Sequence, residues 1–159
     1  MKKIPLTQGQ YALVDDENYD ELNKHKWCAM YSKSINSFYA ARNISNGRNK
    51  QKTVFMHRCI LKVMNNDCID HINHNTLDNR KLNIRDVTKS QNAMNAGVQK
   101  NNKSGHKGVY FDKANGKWRA TISINYKKLH IGYYTSLIEA INARKKAEEY
   151  HFGVHAYKQ

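Results

Sequence analysis

The sequence predicts an α+β protein built from two small modules, and three observations predict it. Apolar and polar residues alternate in short runs through Val109–Tyr134, the pattern of half-buried strands. Two Ser/Thr-x-x-Gln/Glu signatures, Thr88 to Gln91 and Ser136 to Glu139, each open a helix-length segment. Hydrophobic residues make up only 40% of 159 residues, and mean hydropathy is −0.85, which favours compact sub-domains over one large core. The expected modules are residues 1–97, with a motif core at 54–97, and residues 107–159, joined by a linker at 98–106.

Residues 4–57 read as short strands and turns. YALVD, FYAAR and TVFMHR are strand-like, and SNGRN (Ser45 to Asn49) is a turn, since Asn-Gly tolerates positive φ. In HRCILKVMN the apolar residues Ile60, Leu61, Val63 and Met64 fall at helical spacing, and Asn65–Asp67 should end that helix. A strand then ends near Asp70-His71, a polar loop follows, and a second strand runs around Ile84–Val87. The helix opened by Thr88 should continue to about Asn95. The first module therefore closes as β-loop-β-α.

The stretch from Asn95 to Gly108 has few apolar residues and reads as a linker, one that an extended polyanion could also order. Beyond it, GVYFD, KWRATISI and KKLHIGYY are three strands of an antiparallel sheet. Trp118, Ala120, Ile122 and Ile124 share one face of the middle strand; Arg119, Thr121 and Ser123 share the other. Val109, Phe111, Leu129 and Ile131 extend the apolar face. The helix opened by Ser136 should run to about Tyr150 and cover that face with Leu137, Ala140, Ile141, Ala143 and Ala147. The opposite face is left polar, basic and open, and Arg144-Lys145-Lys146 is read as a solvated side of the helix.

Net charge is +14. Residues 1–97 carry 15 basic against 9 acidic residues, and residues 98–159 carry 12 against 4 in a much shorter stretch. Sixteen aromatic residues, ten of them Tyr, are interleaved with this charge. A polyanion is the expected partner, because basic side chains gain by displacing its condensed counterions. The cysteines Cys28, Cys59 and Cys68 have no Cys-x-x-Cys spacing, so buried or partly buried free thiols are expected, with neither a disulfide framework nor structural zinc. No apolar run of signal-peptide or membrane-spanning character is present, so a cytoplasmic protein of a bacterial or phage-infected cell, without membrane partners, is expected.

The chemistry concentrates in Ile69–Asn95. Cleaving a phosphodiester with a small metal site needs a divalent cation at the phosphate and a base for the attacking water. Oxygen ligands suit Mg²⁺. Asp70 offers a carboxylate, Asn92 a carboxamide oxygen, and His71 an imidazole suited to proton transfer near neutrality. Adjacent strand residues point apart, so His71 can approach from a different side than Asp70.

The string DHINHNTLDNRKLNIRDVTKSQN, with MHR at Met56–Arg58 ahead of it, resembles the HNH nucleases, in particular phage and intron-encoded homing endonucleases of the subgroup with asparagine in the third position. The resemblance implies a ββα-metal fold, with Asp70 and Asn92 as ligands of Mg²⁺ or Mn²⁺, His71 as general base, Asn83 as brace of the loop holding His71, and Arg58 or Arg85 on phosphate. Related sequences often carry Gly where this one has His74. Such a change strains the loop or adds an imidazole near phosphate or metal; a tolerated turn substitution is the preferred reading.

The segment SGHKGVYFDKANGKWRATISINYKKLHIGYYTSLIEAINARKKAEEYHFG resembles the ethylene-response-factor type DNA-binding domain. The resemblance implies docking of the sheet in the DNA major groove through Lys107, Tyr110, Lys113, Arg119, Thr121, Ser123, Lys128 and His130. Several Arg and Trp positions of the plant proteins are Tyr, Asp, Ser or His here, so the docking surface carries over and the base-reading code does not. Phosphate contacts are expected to dominate. The expected protein is thus a metal-dependent, homing-type endonuclease of double-stranded DNA, a monomer in preference to a dimer, nicking one strand per docking event. The rival of a different class is a DNA-binding regulator with a decayed nuclease module.

Overall fold

A computed structural model describes residues 1–45, 47, 51–63, 68–99 and 101–157. Internal contacts divide the chain into two compact units, Met1–Val87 and Thr88–Gln159. The helix opened by Thr88, grouped above with the residues before it, therefore counts with the second unit.

In the first unit, β1 (Lys2–Pro5) and β2 (Tyr11–Val14) form a hairpin with Lys2 opposite Val14. Next comes α1 (Asp16–Leu22), a helix absent from the strand-and-turn expectation. Asp16 and Glu17 in its first turn suit a helix N-terminus, but Leu22 is its one buried residue, so no apolar period marks it in the sequence. A three-stranded antiparallel sheet follows, in the order β3 (Cys28–Ser32), β4 (Ser37–Ser45) and β5 (Gln51–Phe55). The strand expected over TVFMHR stops at Phe55. Met56–Arg58 instead belong to α2 (Met56–Leu61), because a helix there buries Met56, His57 and Ile60 together. Lys62, at φ 55°, closes the helix in the left-handed region. The expected helix end at Asn65–Asp67, Met64, and most of the turn at Ser45–Asn49 lie outside the described residues.

The core of this unit gathers Ile4, Val14, Trp27, Met56, Ile60 and Ile84 from four different elements and one connecting segment. Trp27 is buried, and its indole N–H donates to the Leu22 carbonyl at 2.8 Å. Of the cysteines, Cys59 and Cys68 are half-buried, whereas Cys28 is exposed, contrary to expectation. The pleat of β3 turns its neighbour Ala29 inward instead. The unit ends in the hairpin of β6 (Cys68–His71) and β7 (Ile84–Val87), with register Asp70 opposite Arg85 and His71 opposite Ile84.

His74 lies in the loop of that hairpin at φ 62°. A Gly-like backbone is therefore required where the sequence supplies His. The residue tolerates this conformation better than a β-branched one, but still crowds its own Cβ. His74→Gly is expected to raise stability by about 1 kcal/mol, read as a higher urea midpoint. An unchanged or lowered midpoint refutes strain at this position.

The second unit begins with α3 (Lys89–Asn95), whose cap is reciprocal: Gln91 N donates to Thr88 Oγ1 at 3.2 Å, and Thr88 N donates to Gln91 Oε1 at 2.8 Å. Residues expected as a linker form hydrogen-bonded turns from Asn102 onward; Asn102 Nδ2 donates to His106 O at 2.9 Å. Then come β8 (Val109–Asp112), β9 (Lys117–Ile124) and β10 (Lys127–Tyr134), an antiparallel sheet with β9 in the centre, and α4 (Leu137–Phe152). The capping box of Ser136 and Glu139 is present, and the helix runs two residues past Tyr150.

Helix α4 packs on the sheet through a small core of Val109, Ala120 and Ala140, backed by Trp118, Ile131 and Leu137. Two details differ from expectation. The register shifts between His130 and Gly132, and Phe111 and Leu129 stay about half exposed at 48% and 45%. Arg144, read as solvated, is buried: its Nη2 lies 3.0 Å from Glu148 Oε1 one turn on, and its guanidinium sits 5.6 Å from the Phe152 ring. Lys145 and Lys146 are exposed.

Candidate functional site

The β6–β7 hairpin presents Asp70 and His71 on opposite faces, as successive strand residues must. On one face the cross-strand pair closes into a salt bridge. Arg85 donates from Nε and Nη2 to the same oxygen, Asp70 Oδ2, at 2.9 and 2.7 Å. Both side chains are largely withdrawn from solvent, so water and salt screen this pair less than a surface one, and removing either partner would leave a buried charge unpaired. Arg85, expected on phosphate, here orients the carboxylate.

On the other face His71 is buried among aromatic rings. The His57 ring meets it edge-on, centroids 5.3 Å apart at 87°, and Tyr39 lies 6.2 Å away. His57 itself stacks on Phe55 at 5.4 Å. Burial pushes His71 below the usual histidine range, while Asn79, Asp70 and Asp78 pull it partly back. It is neutral at physiological pH. Burial, then the charges of His71 and Arg58, push His57 down to about 3.

The tautomer of His71 follows from its neighbour. Asn79 is fully buried and donates from Nδ2 to Leu77 O at 3.2 Å, which turns its carbonyl oxygen toward His71 Nε2, at 3.5 Å. The amide oxygen can accept only from a protonated Nε2, so this contact favours the Nε2–H tautomer.

The polar loop between the strands is a lattice of side-chain bonds. Asn83 accepts at Oδ1 from Asn73 N at 3.0 Å and donates from Nδ2 to Asp78 O at 2.7 Å, so one amide spans the loop. Asp78 takes a bidentate Arg80, at 2.7 and 2.6 Å, and a further bond from Asn73 Nδ2 at 2.9 Å. Arg80 holds the Asp78 carboxyl below the usual range. The loop is pinned to β2 by Leu13 N to Leu77 O and Asn79 N to Leu13 O, both 2.8 Å. Within it Leu82 is 92% exposed and contributes no core.

No family model matches the chain, and neither curated proteins nor solved structures give a significant match. The site is thus read from its own geometry. The first unit brings together Asp70, His71, Asn83 and Arg85, with Arg58 half-buried on α2. Asn92 is half-buried on α3 in the second unit. Among the described residues no group of three or more His, Cys, Asp and Glu side chains could hold a metal ion. Two residues with a role in the geometry escaped sequence reasoning. The only sequence signal for Asn79 is its place in Asp-Asn-Arg, and that for His57 its place in MHR.

In the second unit four of the expected DNA-facing residues converge. Arg119 lies between Tyr110 and Tyr133, 5.8 and 5.6 Å from their ring centres, and its Nε donates to His130 Nδ1 at 3.3 Å. Lys128 Nζ sits 5.3 Å over Tyr110. Rings and cations this close attract one another and form one basic, aromatic patch. Ser123 and Lys113 are exposed. Two residues do not join them. Thr121 is buried, with its hydroxyl donating to Gly108 O at 3.3 Å, and Lys107 directs its ammonium to backbone carbonyls of the same unit. Nor is the polar side of the sheet wholly open. A groove of about 530 Å³ runs beside it, lined by Ser90, Met94, Tyr110, Ser123 and Lys128 among others.

Proposed function

We propose that the chain is a metal-dependent endonuclease of double-stranded DNA of the HNH type, with Asp70 and Asn92 as metal ligands and His71 as general base. One observation carries the reading. A buried histidine, its Nε2 facing the Asn79 carbonyl and burial holding it below the usual histidine range, stands next to a carboxylate that an arginine orients. The ordered string from Asp70 to Asn92 supports it, as does the basic, aromatic patch of the second unit.

The donor set suits a hard cation: one carboxylate and one carboxamide offer oxygen only, which Mg²⁺ and Mn²⁺ accept and structural zinc sites do not use. Bound there, such an ion supplies charge neutralisation at the scissile phosphate and at the leaving 3′ oxygen. The residues of the chain do the rest. Arg85 keeps the Asp70 carboxylate in one orientation. His71 takes a proton from water on its imidazole, while the Asn79 carbonyl beside Nε2 holds the ring. Asn83 and Asp78 keep the loop from shifting as the proton arrives. Arg58 contacts phosphate. The products carry 5′-phosphate and 3′-hydroxyl ends. One site per monomer cuts one strand, so nicked circles precede linear DNA.

The experiment is plasmid conversion with Mg²⁺ or Mn²⁺, with and without EDTA. Metal-dependent nicking is the expected result. A protein that binds DNA yet leaves supercoiled plasmid and candidate target DNA intact with every divalent ion overturns the nuclease reading and favours the regulator.

The DNA-facing patch has its own test. Each cation on phosphate adds about one unit to the slope of log affinity against log salt. Lys128→Met is expected to lower that slope by about one, measured by fluorescence anisotropy across salt concentrations. An unchanged slope removes Lys128 from the interface.

A further inference from the structure

We propose that Lys107 is a positioning residue for α3, clamping the C-terminal end of the helix that carries Asn92, and is not a DNA contact. The inference rests on the nuclease reading only for the role of Asn92; the clamp itself is independent of it.

Three observations carry it. First, Lys107 Nζ donates to Ala93 O at 2.7 Å and Ala96 O at 3.2 Å, and lies 3.4 Å from Met94 O. These carbonyls belong to the last turn and cap of the helix, where intrahelical partners run out; Ala93 O also accepts from Ala96 N at 3.4 Å. A cation placed there completes them and opposes the negative end of the helix dipole.

Second, α3 needs an external clamp. It has seven residues and no basic residue in its own last turn. A helix this short is marginal on its own. Its N-terminal end is closed by the Thr88–Gln91 box, and Asn92 lies between that box and the carbonyls held by Lys107.

Third, Lys107 is itself held by the body of the second unit. Gly108, at φ 74°, follows it, and a Cβ at this position would overlap the Thr121 carbonyl oxygen and the Arg144 guanidinium. Arg144 is buried and paired to Glu148. The chain can pass this close to β9 and α4 only through glycine, and that passage aims Lys107 at α3. Lys107 thus ties Asn92 to the same body that presents the Tyr110–Arg119–Lys128 patch.

The test compares wild type, Lys107→Met and Lys107→Arg in the full chain. Three quantities are read: amide hydrogen exchange at Ala93–Ala96, Mn²⁺ affinity by calorimetry, and the salt slope of DNA affinity in EDTA. Lys107→Met is expected to speed exchange in α3 while leaving Ala120 and Ala140 protected, which shows that the unit remains folded. It should weaken Mn²⁺ binding about 10- to 100-fold, as loss of a ligand's support does. The salt slope should stay at its wild-type value, and Lys107→Arg should recover most of the loss. Unchanged exchange in α3 overturns the clamp. A salt slope lowered by about one with exchange unchanged makes Lys107 a phosphate contact instead. Faster exchange with unchanged Mn²⁺ affinity overturns the link to Asn92. A wild type that binds no Mn²⁺ and nicks no plasmid overturns the nuclease reading, and the exchange result then judges the clamp alone.

Discussion

Replacing His71 with alanine is expected to lower plasmid nicking about 10²- to 10⁴-fold, the range that loss of a general base produces. DNA affinity in EDTA should not change, because His71 is buried in the first unit and adds no charge near neutrality. The geometry sets the size of the effect. The Asn79 carbonyl holds one ring nitrogen, the loop is tied down through Asn83, and the aromatic rings of His57 and Tyr39 fix the plane of the imidazole. Water has no comparably placed base among the neighbours named here. Alanine also empties volume in the aromatic cluster, so His71→Gln, nearer in size, should be assayed beside it with thermal unfolding as the control for folding. If both variants remain folded and nick at the wild-type rate, His71 is not the base, even if nuclease activity persists.

The second large effect is on stability in acid. His57 is 7% exposed, and its Nδ1 has no hydrogen-bond partner among the described residues. In the unfolded chain it takes up a proton near the ordinary histidine value of 6.5, but in the folded chain only near 3. Between those values the unfolded state holds more protons, so stability rises with pH there. The contribution is complete above pH 6.5 and is lost as pH falls toward 3, at roughly 1 kcal/mol per pH unit. His71, lowered in the same direction, adds to the loss. Urea unfolding of wild type should therefore show midpoints that fall steadily from neutral to mildly acidic pH. His57→Phe keeps the stacked ring and removes the titration, so its midpoints should fall less steeply. Parallel curves for the two proteins would mean that His57 is not buried in the neutral form.

Much of the local structure was legible because its signals are local. Thr88 and Ser136 open helices through bonds to residues three positions on, and those boxes are present. A strand ending near Asp70-His71 and another around Ile84–Val87 are expected on either side of the polar loop, and both are present. Helix α1 escaped because DENYDEL buries only Leu22 and shows no period. The strand expected over TVFMHR is shorter than its apolar run because Phe55 and Met56 are equally apolar, and what turns the chain at Met56 is the core of the first unit receiving Met56 and Ile60.

For the candidate site, the order of residue types from Asp70 to Asn92 is enough to single out Asp70, His71, Asn83 and Asn92. Partnerships were another matter. That Arg85 faces Asp70 depends on a hairpin register, and that Asn79 reaches His71 depends on how a 12-residue loop folds back. His74 shows the division at a single residue. Its identity in a turn was plain from the sequence; that it sits at φ 62°, where glycine would be unstrained, is a property of the closed loop. Arg144 and Lys107 show it for charge. Both are cations in a basic stretch, and by composition both belong in water or on phosphate. One is buried against Glu148 and the other caps α3. The sequence alone established residue chemistry, short-range caps and strand periods, since these depend on neighbours a few positions apart. Packing chose which cations face solvent and which face the protein, since that choice rests on desolvation and on groups far away along the chain.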